Sequence, residues 1–539
     1  VKLLRTAAIA VAGLTLLGAC TANPDPNTNT GPSATVLRVL AGSELADLKP
    51  ILEQVQKQTG VTVKLDFAGT LDGADQVAKG AADGKYDAIW FSSNRYLSLN
   101  PQAAKKIGQS EKIMASPVVL GLRHSVAAKL GWSGKPVSWS DIAAASAAKK
   151  FTYGMTDPSA SNSGFSALVG VASALANTGG ALNESQIQAV TPKLKDFFAS
   201  QTLSAGSSGW LSDAFVQRSS GKGTPVDGLI NYESLLLSID ASSKLTSDPL
   251  DIIYPSDGVV TADYPLTLLN SATPPSRTAF SKVVTALKEK TTQQQIVTQT
   301  HRRPVTGGVT PPQNSGPATL NELPFPAQQS AVNALLSAYF DKIRRPSRTL
   351  YVLDTSGSME GQRLDSLKQA LTSLAGADSS LSGRFSRFHA REQVTLLPFS
   401  SEPAQPQLFT VPETSPGPVL ASIRATGQSL RADGNTAIYA SLEKAYQIVG
   451  EQIAQDPNRF TSIVLMTDGE NTNGPDLSAF RTFHGTLSQA IRGVPVFPVL
   501  FGDSATSDMQ QIATITGGRT FDARSGSLAA AFKEIRGYQ

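Results

Sequence analysis

The sequence predicts an α/β protein of two folded regions, a two-lobed one followed by a doubly wound parallel sheet, and three observations carry that prediction. Strand-like and helix-like hydrophobic patterns alternate from residue 35 to about 305, the order expected of layered α/β structure. A second alternating series runs from 346 to 539. Between the two, 307–326 is rich in Pro, Gly, Asn and Thr, the composition of a linker. At 539 residues the chain is too long for one compact domain. Charged residues make up 17% of it and the formal net charge is +4. No basic block or stripe occurs, which argues against nucleic acid as a partner.

In chain order, Lys2 and Arg5 precede a mostly apolar run from Thr6 to Ala19. The run is too short to span a bilayer, which takes about 20 residues, and it fits the apolar part of an export signal over 1–19. Leu17-Gly18-Ala19-Cys20 resembles the lipobox of bacterial lipoproteins, which implies cleavage before Cys20 and a lipid on its thiol. An ordinary signal with an incidental cysteine is the other reading. Cys20 is the only cysteine, so it forms no disulfide within the chain, and lipidation accounts for it better. The expected location is the extracytoplasmic face of the cell membrane, with 20–34 as a flexible polar tether.

The first folded region is expected over 35–306. Val36 to Leu40 reads as a strand ending at Ser43, and Leu45 to Gln58 has helical spacing. Val61 to Phe67 alternates, Ala74 to Ala82 is a small-residue helix, and Tyr86 to Phe91 is a strand opening into Ser92-Ser93. From Val118 the chain crosses to a second lobe, where Phe151 to Met155 leads into the polar loop 156–164 before a helix at Phe165. Free N–H groups at such a helix start favour anions, although a plain N-cap by Ser161 or Ser163 explains the loop as well. These loops, with Tyr232-Glu233 and Tyr254-Pro-Ser-Asp257-Gly, resemble those of the bilobed extracellular solute-binding proteins, most closely the oxyanion receptors. The resemblance implies a cleft holding a small polar or anionic solute, with Ser43, Ser92, Ser163 and Tyr232 as its ligand-binding residues. The loops hold no cluster of Arg or Lys, so an anion there depends on neutral donors.

After the linker, an amphipathic helix is expected within 327–345, on Val332, Leu335, Leu336, Tyr339, Phe340 and Ile343. From 346 the pattern gives strands at 348–354, 392–399, 460–467 and 494–501. Helices are expected at 363–375, 417–425, 436–453, 477–491, 507–515 and 526–536. About six parallel strands with helices on both faces make the doubly wound sheet.

The strand Tyr351-Val352-Leu353 breaks at Asp354, and the loop after it carries Ser356 and Ser358 at alternate positions. These are hard oxygen donors suited to Mg²⁺ or Mn²⁺. Alone, the spacing fits an Asx or Ser turn equally well. Two later loops change the weighting, one with Thr436 at a helix start and one with Asp468 at a strand end. In a parallel sheet such loops meet at one edge. Residues 346–539 resemble a von Willebrand factor type A domain, whose metal-ion-dependent adhesion site implies Asp354, Ser356, Ser358, Thr436 and Asp468 as metal ligands. The resemblance also implies a protein partner that presents a carboxylate to the ion. Glu360 and Glu470 lie near enough in sequence to fill that position from within.

No catalytic constellation is present. His124, His301, His389 and His484 are scattered singly, without an HExxH pattern, a Gly-x-Ser-x-Gly elbow or a phosphate-binding loop. The expectation is a non-enzymatic, membrane-anchored binding protein acting through its metal domain, with the solute-like region as sensor or scaffold. A solute receptor serving a membrane permease is the alternative.

Overall fold

The computed structural model describes residues 35–242, 244–245, 247–502, 506–524 and 528–538. The export signal, Cys20 and the tether lie outside the described residues. Among the described residues no helix is long and apolar enough to cross a membrane.

Three sheets carry the fold, each placed by a run of β-branched and leucine residues. The first has five strands, in the order Val61–Phe67, Thr35–Ala41, Ala88–Trp90, Pro265–Leu269, Ile107–Lys112. Its first three strands are parallel, as the alternation predicts, but Pro265–Leu269 returns antiparallel to both neighbours. That late return was invisible to a local pattern, because its partners are more than 150 residues away. The second sheet is ordered Thr261–Ala262, Met114–Arg123, Gly228–Tyr232, Tyr153–Thr156, Gln201–Ala205. Leu250–Ile253 and Arg303–Pro304 also pair with Met114–Arg123, so the chain passes between the sheets near residue 113, returns near 264 and crosses once more before 303.

The third sheet orders six strands as Gln407–Thr410, Gln393–Phe399, Ser347–Asp354, Phe460–Thr467, Val496–Leu500, Phe521–Asp522. All pairings are parallel except that of the edge strand Gln407–Thr410. Its central strand is buried along its whole length and serves two cores. Tyr351 and Leu353 face one, and Leu350 and Val352 face the other. This division is the period-two geometry of a strand covered on both faces. The edge strand, the two-residue strand Phe521–Asp522 and the short helix Leu381–Ser386 were not expected, being too brief to show a period.

The linker composition of 307–326 does not make a slack tether. Glu233, fully buried, accepts two bonds of 2.7 Å from the Arg303 guanidinium and one of 3.0 Å from the Gly316 N–H. Arg303 Nη1 in turn donates to the Pro317 carbonyl at 2.7 Å. The Phe325 ring meets Phe165 edge-on at 5.8 Å. The expected connecting helix forms at Gln329–Ala338 and ends in a widened turn, Tyr339–Ile343. Phe340 stacks on the buried His389 at 4.5 Å and Tyr339 meets Phe198 edge-on at 5.1 Å, so this turn touches both the third sheet's domain and the second lobe.

Candidate functional site

At the carboxyl end of the third sheet, Asp354 terminates its strand and Asp468 follows the neighbouring one, in parallel register with Leu353 opposite Met466. Both carboxylates are buried, at 0% and 1% exposure. Asp354 Oδ2 accepts from the Thr467 hydroxyl at 2.6 Å and Oδ1 from the Ser356 N–H at 2.8 Å. The Ser356 and Ser358 hydroxyls lie 3.0 Å apart, and Ser358 donates to Asp468 Oδ1 at 2.8 Å.

The loop carrying Thr436 is tied to both others. Gly357 N–H donates to the Gly434 carbonyl at 2.9 Å, while the Thr436 carbonyl accepts from the Thr472 N–H and the Thr436 N–H donates to the Thr472 hydroxyl, both at 2.9 Å. A side chain at Gly469 would lie 3.8 Å from the Ser358 hydroxyl and 4.0 Å from that of Thr436. All five expected residues thus stand at one edge, and all offer oxygen.

The cleft expected between the lobes is a cavity of about 830 Å³. Ser43 and Ser92 line it, as expected. Ser163 and Tyr232 lie behind its wall, at 0% and 1% exposure. The Ser163 hydroxyl is engaged with Ser208 at 2.7 Å and Thr156 at 2.8 Å, and that of Tyr232 donates to Ser92 at 3.0 Å. The Ser161 side chain makes no cap bond, and Thr156 Oγ1 instead accepts from the Gly164 N–H at 2.7 Å. These hydroxyls hold one another and the helix start.

Residues 37–297 match the family model of bacterial extracellular solute-binding proteins, and residues 349–470 match that of the von Willebrand factor type A domain. The chain carries both domains. Among solved structures, iron-bound HitA from Pseudomonas aeruginosa is 17% identical, covers 56% of this chain and 98% of its own, and superposes with a TM-score of 0.44. The sugar-phosphate-bound periplasmic protein AfuA from Actinobacillus pleuropneumoniae is 14% identical over 58% and 99%, with a TM-score of 0.42. A putative solute-binding protein from Bordetella parapertussis is 16% identical over 57% and 98%, with a TM-score of 0.43. No curated protein matches the chain.

In the type A domain the sequence reading missed Arg363, whose Nη1 donates to Asp468 Oδ2 at 2.5 Å. It sits in the first turn of the helix Gln362–Thr372, where a cation opposes the helix dipole. That misplacement is the available signal, because it makes sense only with an anion in front of the helix. Burial pushes the Asp354 carboxyl above its usual range; its bonds to Thr467 and Ser356 oppose the rise and the nearby Asp468 charge adds to it. Glu360 and Glu470 are exposed and bond to none of the five residues.

The type A domain also walls the solute cleft, through Arg519, Lys533 and Tyr538. Tyr538 is 1% exposed, packed edge-on against Trp210 of the second lobe at 5.0 Å. A Cβ on Gly206 would lie 2.3 Å from the Tyr538 ring, so the lobe's backbone leaves room for that side chain. Nothing local in the sequence announces this contact.

Proposed function

We propose that the protein is a membrane-anchored extracytoplasmic binding protein whose type A domain engages a protein partner through a bound Mg²⁺ or Mn²⁺. The solute-binding domain acts as its sensor or scaffold. One observation supports this above others: five oxygen-bearing side chains from three separate loops converge at one sheet edge, two of them buried carboxylates. Burying charge in this way is costly unless a cation compensates it. Arg363 supplies one positive charge against two negative ones, and the remaining deficit is what a hard divalent ion would fill. Asp354, Ser356, Ser358, Thr436 and Asp468 would hold the ion directly or through water, which suits the hydrated, oxygen-rich shell of Mg²⁺. Once bound, the ion supplies an electrophilic point for a carboxylate on the partner. Ser358 is the exposed one of the five residues, and that group would arrive from its side.

Equilibrium dialysis of the full chain against millimolar Mn²⁺ tests the reading. One ion per chain is expected, and it should be lost in Asp354→Ala with the fold retained, because the loop lies at the sheet edge. Unaltered protein that retains no ion would end the mechanism. Anchoring is assigned to Cys20, so Cys20→Ser should release the chain from membranes. Normal processing with continued membrane partition would refute that assignment.

The cavity between the lobes favours a second reading, a receptor that delivers a small polar solute to a permease.

A further inference from the structure

The cleft residues decide what sign of charge the solute domain accepts. Three basic residues reach the cavity, and each is occupied. Lys79 pairs with Asp75 at 2.6 Å, Arg519 with Glu534 at 3.4 Å, and Lys533 with Asp378. Asp522, also on the wall, is neutralised by Arg524 at 2.6 Å. Glu44 and Asp72 line the same cavity without an ion-pair partner among the described residues. The lining therefore carries an excess of negative charge.

Glu44 stands out within that lining. Its carboxylate folds over Gly42, and its Oε1 is sealed from solvent with no hydrogen-bond partner among the described residues. Burial raises this carboxyl above the usual range; its own backbone N–H, Arg302 and the Ser92 hydroxyl oppose the rise. A chain of hydroxyls lies behind the wall beside it. Asn162 Nδ2 donates to the Tyr232 hydroxyl at 3.2 Å, and Tyr232 donates to Ser92 at 3.0 Å. At the rim, the Phe67 ring is 49% exposed, with Phe91 beside it on the wall. Aromatic faces beside a carboxylate attract ammonium groups.

We propose that the solute cleft binds an organic ammonium compound, with the Glu44 carboxylate as the principal acceptor, Asp72 as a second one, and the Phe67 face against the cation. A cavity of about 830 Å³ accommodates an extended molecule. The inference rests on the reading that the cleft takes a solute, and it replaces the expected anion with a cation.

The test is calorimetric titration of the full chain with spermidine and choline as organic cations and with molybdate and phosphate as oxyanions. Saturable binding of at least one cation is expected, weakened tenfold or more in Glu44→Gln and about threefold in the exposed Asp72→Asn, with no response to either oxyanion. Oxyanion binding without cation binding would overturn the charge assignment and keep the solute reading. A silent panel would overturn both. Cation binding unchanged in both variants would overturn the site. Mn²⁺ retention, measured on the same samples, reports the type A site independently.

Discussion

Arg363 is the side chain whose role is hardest to anticipate and easiest to test. Its guanidinium holds the Asp468 oxygen that does not face Ser358, so a cation arriving at the edge meets a carboxylate already half neutralised. A charge-assisted bond of this kind is worth about 1.5–3 kcal/mol. Arg363→Ala is therefore expected to tighten Mn²⁺ binding on the order of tenfold, equivalent to about 1.4 kcal/mol, as read by dialysis or calorimetry. Unchanged or weaker binding would mean that Arg363 positions Asp468 rather than competing for it. The five site residues themselves were legible in the sequence, because each sits at a strand end or helix start and the fold's edge is a generic property of parallel sheets. Arg363 and Glu44 were not, since their importance lies in the group each one faces.

At the scale of elements, the connecting helix and the last helix of the type A domain, Leu528–Ile535, are joined through one buried carboxylate. Glu392, 1% exposed, accepts from Arg536 Nη2 at 2.6 Å on each oxygen and is also paired with Arg344. Burial alone would raise this carboxyl, but the two guanidinium groups outweigh it and hold it below the usual range. Removing one partner of such a buried pair costs about 3–5 kcal/mol. Glu392→Gln should lower stability by that order in urea unfolding at neutral pH. A folded-state value below the unfolded one contributes stability above the unfolded value, about 4.3 for glutamate. That contribution disappears as pH falls through the lower folded-state value. The difference between parent and variant should accordingly narrow toward pH 3, and a gap that widens on acidification would reject the assignment. Boundaries of the long elements followed from hydrophobic period, with the strand Phe460–Thr467 expected at the residues where it forms. The edge strand Gln407–Thr410 and the helix Leu381–Ser386 escaped because a few residues do not establish a period.

For the whole molecule, the consequential feature is that one apolar core runs through both domains. Leu203, Leu211 and Phe215 of the second lobe belong to the same cluster as Tyr351, Phe497 and Tyr538 of the type A domain. Domains that share a core unfold together. Calorimetry of the chain should give a single cooperative transition, and Tyr538→Ala, which opens a cavity worth about 3–5 kcal/mol at such a site, should split it or broaden it. Two well-separated transitions in the parent protein would show that the domains are energetically independent. The shared core also places Arg519 and Lys533 on the cleft wall, so a ligand that bound there and touched both domains would stabilise the type A domain by mass action.

The sequence by itself determined the two α/β regions, the order of their principal elements and the oxygen-rich edge of the second, because hydrophobic period and strand-end chemistry are local and survive without partners. Tertiary structure alone decided that 307–326 is pinned by Glu233, that Ser163 and Tyr232 stand behind the cleft wall, and that Tyr538 closes one side of it. Each of these depends on contacts between residues separated by tens to hundreds of positions. The free energy of burying a ring or pairing a carboxylate is set by what the folded chain brings opposite, which no window of sequence contains.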